Sequence, residues 1–160
     1  MIKKIISGGQ SGADLGGLKA AQLHEIETGG TMPKYWKTED GPKPEYKELY
    51  GLVESEKTGY PFRTLENVIN SDATLIVANR VDSIGTALTI KYCKAVNKPY
   101  FIYNTSNRIG PVGVMNWIKI HKPETLNVAG NRESKSKGME FFTKNVVINI
   151  LEELDGVNIK

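Results

Sequence analysis

Apolar and polar positions change along the chain in blocks that predict strands alternating with helices. The clearest strand covers residues 73–78, which are apolar rather than alternating, as in a strand covered on both faces. Shorter apolar runs predict strands at 2–7, 25–31, 49–54, 100–103 and 126–129. Helical spacing predicts helices at 13–23, 64–70, 86–96 and 139–154, the last capped by Asp155-Gly156, and 112–121 is interpreted as a helix.

Strands alternating with helices favour right-handed crossovers and a mainly parallel sheet. The prediction is therefore an α/β fold, a doubly wound and mainly parallel sheet with helices on both faces, in a single domain over residues 1–160. Ligands of such sheets bind beyond the carboxyl ends of the strands. The loops that follow the strands are thus where chemistry is expected.

The loop after the first strand, at residues 7–12, reads SGGQSG. Its three glycines allow a tight turn and close approach to a ligand, and N–H groups at a helix start attract anions. It is neither a Walker A loop nor a strict GxGxxG, and a plain glycine turn is the alternative. The candidate ligand-binding residues here are Ser7, Gly8, Gly9, Gln10, Ser11 and Gly12, with Asp14 just beyond.

A second candidate loop follows the buried strand, where Gly85 and Thr86 start a helix. They offer N–H groups and a hydroxyl, although Thr86 serves equally well as a simple N-cap. We expect this loop to face the first one across adjacent strands. Arg80, just past the same strand, is a further candidate.

The loop after the predicted strand 126–129 is densely polar. Arg132 can clamp a phosphate through its fork of donors, or pair with a nearby acid at the surface. A solvated charged loop is the alternative for the whole segment. Its candidate ligand-binding residues are Asn131, Arg132, Glu133 and Ser134.

Two other segments offer cations. The long irregular segment 32–45 carries Lys34 and Lys37, which can close over an anion, or it is a mobile surface loop. Arg63 lies at the start of a predicted helix, where it either faces the ligand or pairs with Glu66 or Asp72.

Composition limits the alternatives. The chain has 160 residues, a net charge of +3, two histidines and the single cysteine Cys93. That set cannot build a His/Cys zinc site, so neither a metal site nor an internal disulfide is expected. The modest charge makes nucleic acid an improbable partner, and no apolar run is long enough to span a membrane. We expect a cytoplasmic protein.

These segments together resemble one family closely, in order, from about residue 5 to residue 140. Residues 7–14 resemble its opening SGGQTGxD. The other matching blocks are Gly29-Gly30, Pro33-Lys34 and Glu39-Asp40-Gly41; Tyr60, Arg63-Thr64, Asn67-Val68 and Ser71-Asp72; Gly85-Thr86 with Thr89; and residues 126–130 with Arg132-Glu133-Ser134 and Gly138. The family is the putative molybdenum carrier proteins, in the Rossmann-like superfamily that also holds the cytokinin-releasing phosphoribohydrolases.

The resemblance implies a Rossmann-like, homo-oligomeric domain that binds a phosphorylated ring ligand, either a molybdenum cofactor-like pterin or a nucleotide. The phosphoribohydrolase relatives carry a catalytic Glu three residues after their Gly-Thr, whereas this chain has Thr89. We therefore favour binding without catalysis and assign no catalytic residue. The alternatives are sequestration or sensing of a nucleotide-derived signal, cyclic or of ADP-ribose type, and a nucleoside-phosphate N-glycosidase.

Overall fold

The computed structural model describes the backbone of residues 1–159 and the side chains of residues 1–156. Six strands of this part of the chain form one sheet, and six α-helices and a short 3-10 helix at Lys34–Trp36 connect them. The strands are β1 (Lys4–Ile6), β2 (Glu27–Met32), β3 (Leu52–Glu54), β4 (Ala73–Ala78), β5 (Tyr100–Asn104) and β6 (Thr125–Gly130). The helices are α1 (Ala13–Leu23), α2 (Tyr46–Tyr50), α3 (Tyr60–Ile69), α4 (Ile84–Ala95), α5 (Gly110–His121) and α6 (Met139–Ile159).

All strand pairs are parallel, in the order β3-β2-β1-β6-β4-β5. If the strands are counted from β4 and the count continues from β6 to β1, the order becomes 2-1-3-4-5-6, an extension of a common doubly wound order. The expectation that the loops after β1 and β4 face each other across adjacent strands is wrong, because β6 lies between these strands.

Helices cover both faces of the sheet, which confirms the predicted α/β class. On one face, α1, α5 and α6 pack over alternate strand residues such as Leu75, Val77 and Val128. On the other face α3 packs beside α4, whose Cys93 lies against Thr74. A smaller apolar cluster under the edge of the sheet is formed by Leu15, Leu18, Met32, Tyr50 and Leu52. Helices α1, α3, α4 and α6 therefore begin at the edge of the sheet where the strands end.

Three element boundaries differ from prediction by three residues or more. Residues 46–50 form helix α2, which ends at Gly51 in a left-handed conformation (φ 68), so the strand predicted at 49–54 begins only at Leu52. Helix α3 begins at Tyr60 because Pro61 suits its first turn. Helix α6 continues to Ile159, because Gly156 stays helical and does not form the predicted cap.

Two expectations about surfaces can be compared with the structure. From the sequence, Tyr35, Trp36, Tyr46 and Tyr50 are predicted to be exposed aromatic residues, which would favour a homo-oligomer. Only Tyr35 is largely exposed; Tyr50 is buried, and Trp36 and Tyr46 pack against the smaller cluster. These four residues therefore give little support to a homo-oligomer. No helix within the described residues is both long enough and apolar enough to cross a membrane.

Candidate functional site

The loop between β1 and α1 is held in shape by its own polar side chains. The Ser7 hydroxyl donates to the Asp14 carbonyl and accepts from the Gly9 amide, each at 3.2 Å. The Gln10 side-chain amide donates to the carbonyls of Gly8 at 3.2 Å and Lys37 at 3.0 Å. Its oxygen Oε1 is buried without a hydrogen-bond partner. Ser7 and the Gln10 amide therefore shape the loop, and Gln10 Oε1 still has the capacity to accept.

Asp14 and Arg63 form a buried ion pair under this loop. Arg63 Nη1 lies 3.7 Å from Asp14 Oδ2, and the side chains are 14% and 6% exposed. The pairing with Glu66 or Asp72 considered from sequence is not formed. The Gly8 backbone permits the pair, because a side-chain carbon there would lie 2.9 Å from both Arg63 Cζ and Asp14 Oδ2. Arg63 Nε is buried without a partner and remains an available donor.

Burial raises the pKa of the Asp14 carboxyl, while the charge of Arg63 and a 3.1 Å hydrogen bond from the Gln10 backbone N–H oppose that rise. Burial also lowers the pKa of Arg63, with the Asp14 charge opposing, yet a guanidinium stays protonated in proteins. The pair therefore keeps a protonated guanidinium beneath the first loop, with the Asp14 carboxyl beside it.

Three cations converge on the ring of Tyr60, at the start of α3. The guanidinium carbon of Arg132 lies 4.4 Å from the ring centroid, that of Arg63 lies 5.4 Å away and Lys37 Nζ lies 5.7 Å away. We call Lys37, Arg63 and Arg132 around Tyr60 the cation cluster. Its members come from the β2 loop, the β6 loop and the start of α3, and Arg63 also lies against Gly8 of the β1 loop. The cluster therefore lies at the carboxyl ends of three neighbouring strands.

The acidic residues of the third loop and of segment 32–45 have separate tasks. The Glu133 carboxylate accepts from the amides of Gly138 and Glu140 and so caps the start of α6. Glu39 instead accepts hydrogen bonds from the hydroxyls of Ser11 and Ser134. Ser11 also accepts from the Glu133 amide at 3.2 Å, which joins the first and third loops.

Asn131 joins the third loop to the second. Its side-chain oxygen accepts from the amides of Asn79 and Arg80, both at 3.0 Å, and its nitrogen donates to the Arg80 carbonyl and to Ser83 Oγ. Ser83 is the N-cap of α4 and also accepts from the Thr86 amide. The Thr86 hydroxyl is buried without a hydrogen-bond partner among the described residues.

Asn131→Ala should lower the free energy of unfolding by roughly 1–3 kcal/mol, because two backbone amides lose their buried acceptor. Urea denaturation measures this loss. Asn107→Ala is the control, since its amide oxygen accepts only an exposed hydrogen bond, from Ile109, and should cost about 0.5–1 kcal/mol. Equal losses of stability in the two variants would contradict this role of the Asn131 side chain.

Some candidates from the sequence lie apart from the cluster. The Lys34 ammonium lies over the exposed ring of Tyr35, at 5.3 Å. Arg80 has an exposed side chain and meets Asn131 through its backbone. A side-chain carbon at Gly9 would meet Leu52 and Met32, so this glycine faces the smaller apolar cluster. Gly12 packs instead against the Asn131 backbone, and Gly85 faces open space.

Tyr60 and Glu39 are site residues that sequence reasoning left off the list of candidates. The signal for Tyr60 was an aromatic side chain three positions before Arg63 at a helix start, which puts both on one helix face. The signal for Glu39 was weaker, since any acid in a long charged segment is typically solvated.

The doubly wound parallel sheet, with these loops at the carboxyl ends of its strands, defines an α/β domain of Rossmann-like arrangement. The model of the circularly permutated YpsA SLOG family matches residues 5–151, and the chain belongs to this family. A permuted chain agrees with the strand order, which becomes a common doubly wound one when counted from β4.

A solved relative is similar over nearly the whole chain. It is the crystal structure of a putative molybdenum carrier protein from Syntrophus aciditrophicus SB, with 35% sequence identity and a TM-score of 0.81. The match covers 94% of this chain and 93% of that one. It confirms the resemblance to the putative molybdenum carrier proteins. No curated protein matches the chain.

Proposed function

We propose that the protein binds a phosphorylated ring ligand, a molybdenum cofactor-like pterin or a nucleotide, at the carboxyl ends of its strands and without catalysis. The observation that carries the proposal is the cation cluster, in which Lys37, Arg63 and Arg132 lie within 6 Å of the Tyr60 ring. The name of the solved relative, a molybdenum carrier, agrees with a cofactor-sized ligand.

The charges of the cluster favour a phosphate. Among the described residues, Arg63 is paired with Asp14, whereas Lys37 and Arg132 form no salt bridge. Two cations without a direct ion-pair partner match a phosphate monoester, which carries a charge of about −1.5 to −2 at neutral pH. The planar fork of Arg132 suits two parallel hydrogen bonds to phosphate oxygens.

For the ring we propose the surface between the cation cluster and the start of α4. Gly85 faces open space there, and the Ile84 side chain is 90% exposed. The buried Thr86 hydroxyl adds a hydrogen-bonding group one residue further along α4. An exposed aliphatic side chain next to a glycine gives a flat ring an apolar surface without obstruction.

The acidic side chains support binding rather than hydrolysis. N-glycoside chemistry needs a carboxylate near the oxocarbenium-like centre. Thr89 stands at the position of the relatives' catalytic Glu and donates to the Gly85 carbonyl. Glu133 caps α6, and Asp14 is held by Arg63 and Gln10. Free base released from nucleoside monophosphates by the protein, and abolished by Asp14→Asn, would contradict the proposal and favour the N-glycosidase.

Arg132→Ala should weaken binding of adenosine 5′-monophosphate, or of a ligand that co-purifies, by roughly 1.5–3 kcal/mol, as expected for lost charged hydrogen bonds. The melting temperature of the ligand-free protein should change little, because Arg132 has no ion-pair partner among the described residues. Calorimetric titration and a melting curve measure the two quantities.

Arg108→Ala is the matched control, because Arg108 is an exposed arginine between β5 and α5. Its affinity for the same ligand should equal that of the wild type. An unchanged dissociation constant in Arg132→Ala would remove Arg132 from the site. A large fall in its melting temperature with unchanged affinity would make it a structural residue.

Sensing or sequestration of a nucleotide-derived signal, cyclic or of ADP-ribose type, would use the same site and differs only in the ligand. From the family resemblance we further propose a homo-oligomer that works in the cytoplasm. Light scattering at micromolar concentration, with and without adenosine 5′-monophosphate, tests the assembly. A monomer mass under both conditions would refute it.

A further inference from the structure

The loop after β2 places the carboxylate of Glu39 between the first and third loops. Residues 33–45, which we call the arm, follow β2 and carry Glu39 in a tight turn closed by reciprocal 3.2 Å hydrogen bonds between the backbones of Thr38 and Gly41. The Glu39 carboxylate accepts from the hydroxyls of Ser11 and Ser134 and from the Ser134 amide, at 3.3 Å. The first and third loops thus grip the arm through this one carboxylate.

The groups around Glu39 suit an oxyanion in general. They are two hydroxyl donors, one backbone amide and, close by, the charge of Arg132. Burial alone would raise the pKa of Glu39, but the hydrogen bonds from Ser11 and Ser134 and the Arg132 charge outweigh it and lower the pKa. The carboxylate is therefore held as an anion, by donors of the kind that also bind phosphate oxygens.

The same arm belongs to the cation cluster. Lys37, two residues before Glu39, approaches the Tyr60 ring, and its carbonyl accepts from Gln10. Arg132 faces Tyr60 and also acts on the charges of Glu39 and Asp14. The carboxylate of Glu39 consequently lies at the border of the cluster that we propose to bind phosphate.

We propose that Ser11, Ser134 and Arg132 form an oxyanion subsite, which Glu39 fills in the ligand-free protein and which the phosphate of the ligand takes over by displacing it. This inference rests on the proposed function of the same site. Glu39 acts as an internal competitor. To displace it, a ligand must make stronger interactions with the subsite than a single carboxylate makes. A phosphate monoester meets that condition, since it has three terminal oxygens and up to two charges.

Calorimetric titration with inorganic phosphate and with adenosine 5′-monophosphate tests the subsite. Glu39→Gln should bind both probes at least tenfold more tightly than the wild type, a gain of about 1.4 kcal/mol. Asp40→Asn is the matched control, because it removes the same charge from the next, exposed residue, and its affinity should stay within twofold. Equal or weaker binding by Glu39→Gln would overturn the inference and leave the proposed function standing.

A second variant separates the subsite from a general effect of charge. In Glu39→Gln/Ser134→Ala the tenfold gain should largely disappear, because the subsite has lost a hydroxyl donor. Persistence of the full gain would show that phosphate does not use Ser134 and would overturn the inference. Absence of binding in the wild type and in every variant would overturn the proposed function itself.

Discussion

Asp14→Ala should lower the free energy of unfolding by about 3–5 kcal/mol, the usual cost of breaking a buried ion pair from one side. The substitution leaves the Arg63 guanidinium buried without its carboxylate, beneath a loop in which the backbone N–H of Gln10 also loses its acceptor. That loss is a large part of the roughly 5–15 kcal/mol that stabilises a typical domain. Urea denaturation of the two proteins measures it.

Two controls show that the loss comes from the buried charge. Glu124→Ala breaks the exposed pair with Lys3, at 3.4 Å, and should cost less than about 1 kcal/mol. Asp14→Ala/Arg63→Met removes both charges and should recover much of the stability that Asp14→Ala loses, although it also removes the guanidinium that we propose to take part in ligand binding. A loss below about 1 kcal/mol in Asp14→Ala would contradict the account of the pair.

Gly9→Val should lower the free energy of unfolding by roughly 2–5 kcal/mol. Gly9 has a φ of +67, where a β-branched residue is strained by about 1–2 kcal/mol. Its new side chain would also begin 2.8 Å from Leu52 Cδ1 and 2.9 Å from Met32 Sδ, and overpacking of that kind costs about 1–3 kcal/mol. Thermal or urea unfolding measures the sum.

Gly41→Val separates strain from overpacking. Gly41 also has a positive φ, of +98, but nothing lies within 4 Å of its would-be side chain. The free energy of unfolding of Gly41→Val should fall only by the cost of backbone strain, about 1–2 kcal/mol. Equal losses at both glycines would mean that the packing of Gly9 against the smaller cluster contributes nothing.

The placement of the glycine-rich and polar loops could be predicted from the sequence. Glycines and polar residues after β1, β4 and β6 predicted loops that lie at one edge of the sheet, because the carboxyl ends of parallel strands share that edge. The pattern alone did not distinguish Gly8, which lets Arg63 approach, from Gly9, which faces the smaller cluster. That difference depends on how later segments, β2, β3 and α3, pack against this loop.

The rest could not be predicted because it depends on contacts distant in sequence. The position of β6 between β1 and β4 is set by pairing of strands more than 40 residues apart. The partner of Arg63 is Asp14, from another element, although Glu66 and Asp72 are nearer in sequence. Likewise Glu39, rather than the adjacent Glu133, meets Ser134. Local spacing carries no information on such pairings.

Native mass spectrometry of freshly purified protein tests the central claim most directly, because a co-purifying ligand reveals itself by mass. We expect a bound compound that contains a phosphate and a ring, released on denaturation, in the wild type and in Arg108→Ala. Arg132→Ala should retain much less of it, since the guanidinium beside Tyr60 would be gone. A bound compound without phosphate, or one that Arg132→Ala retains in full, would contradict the account.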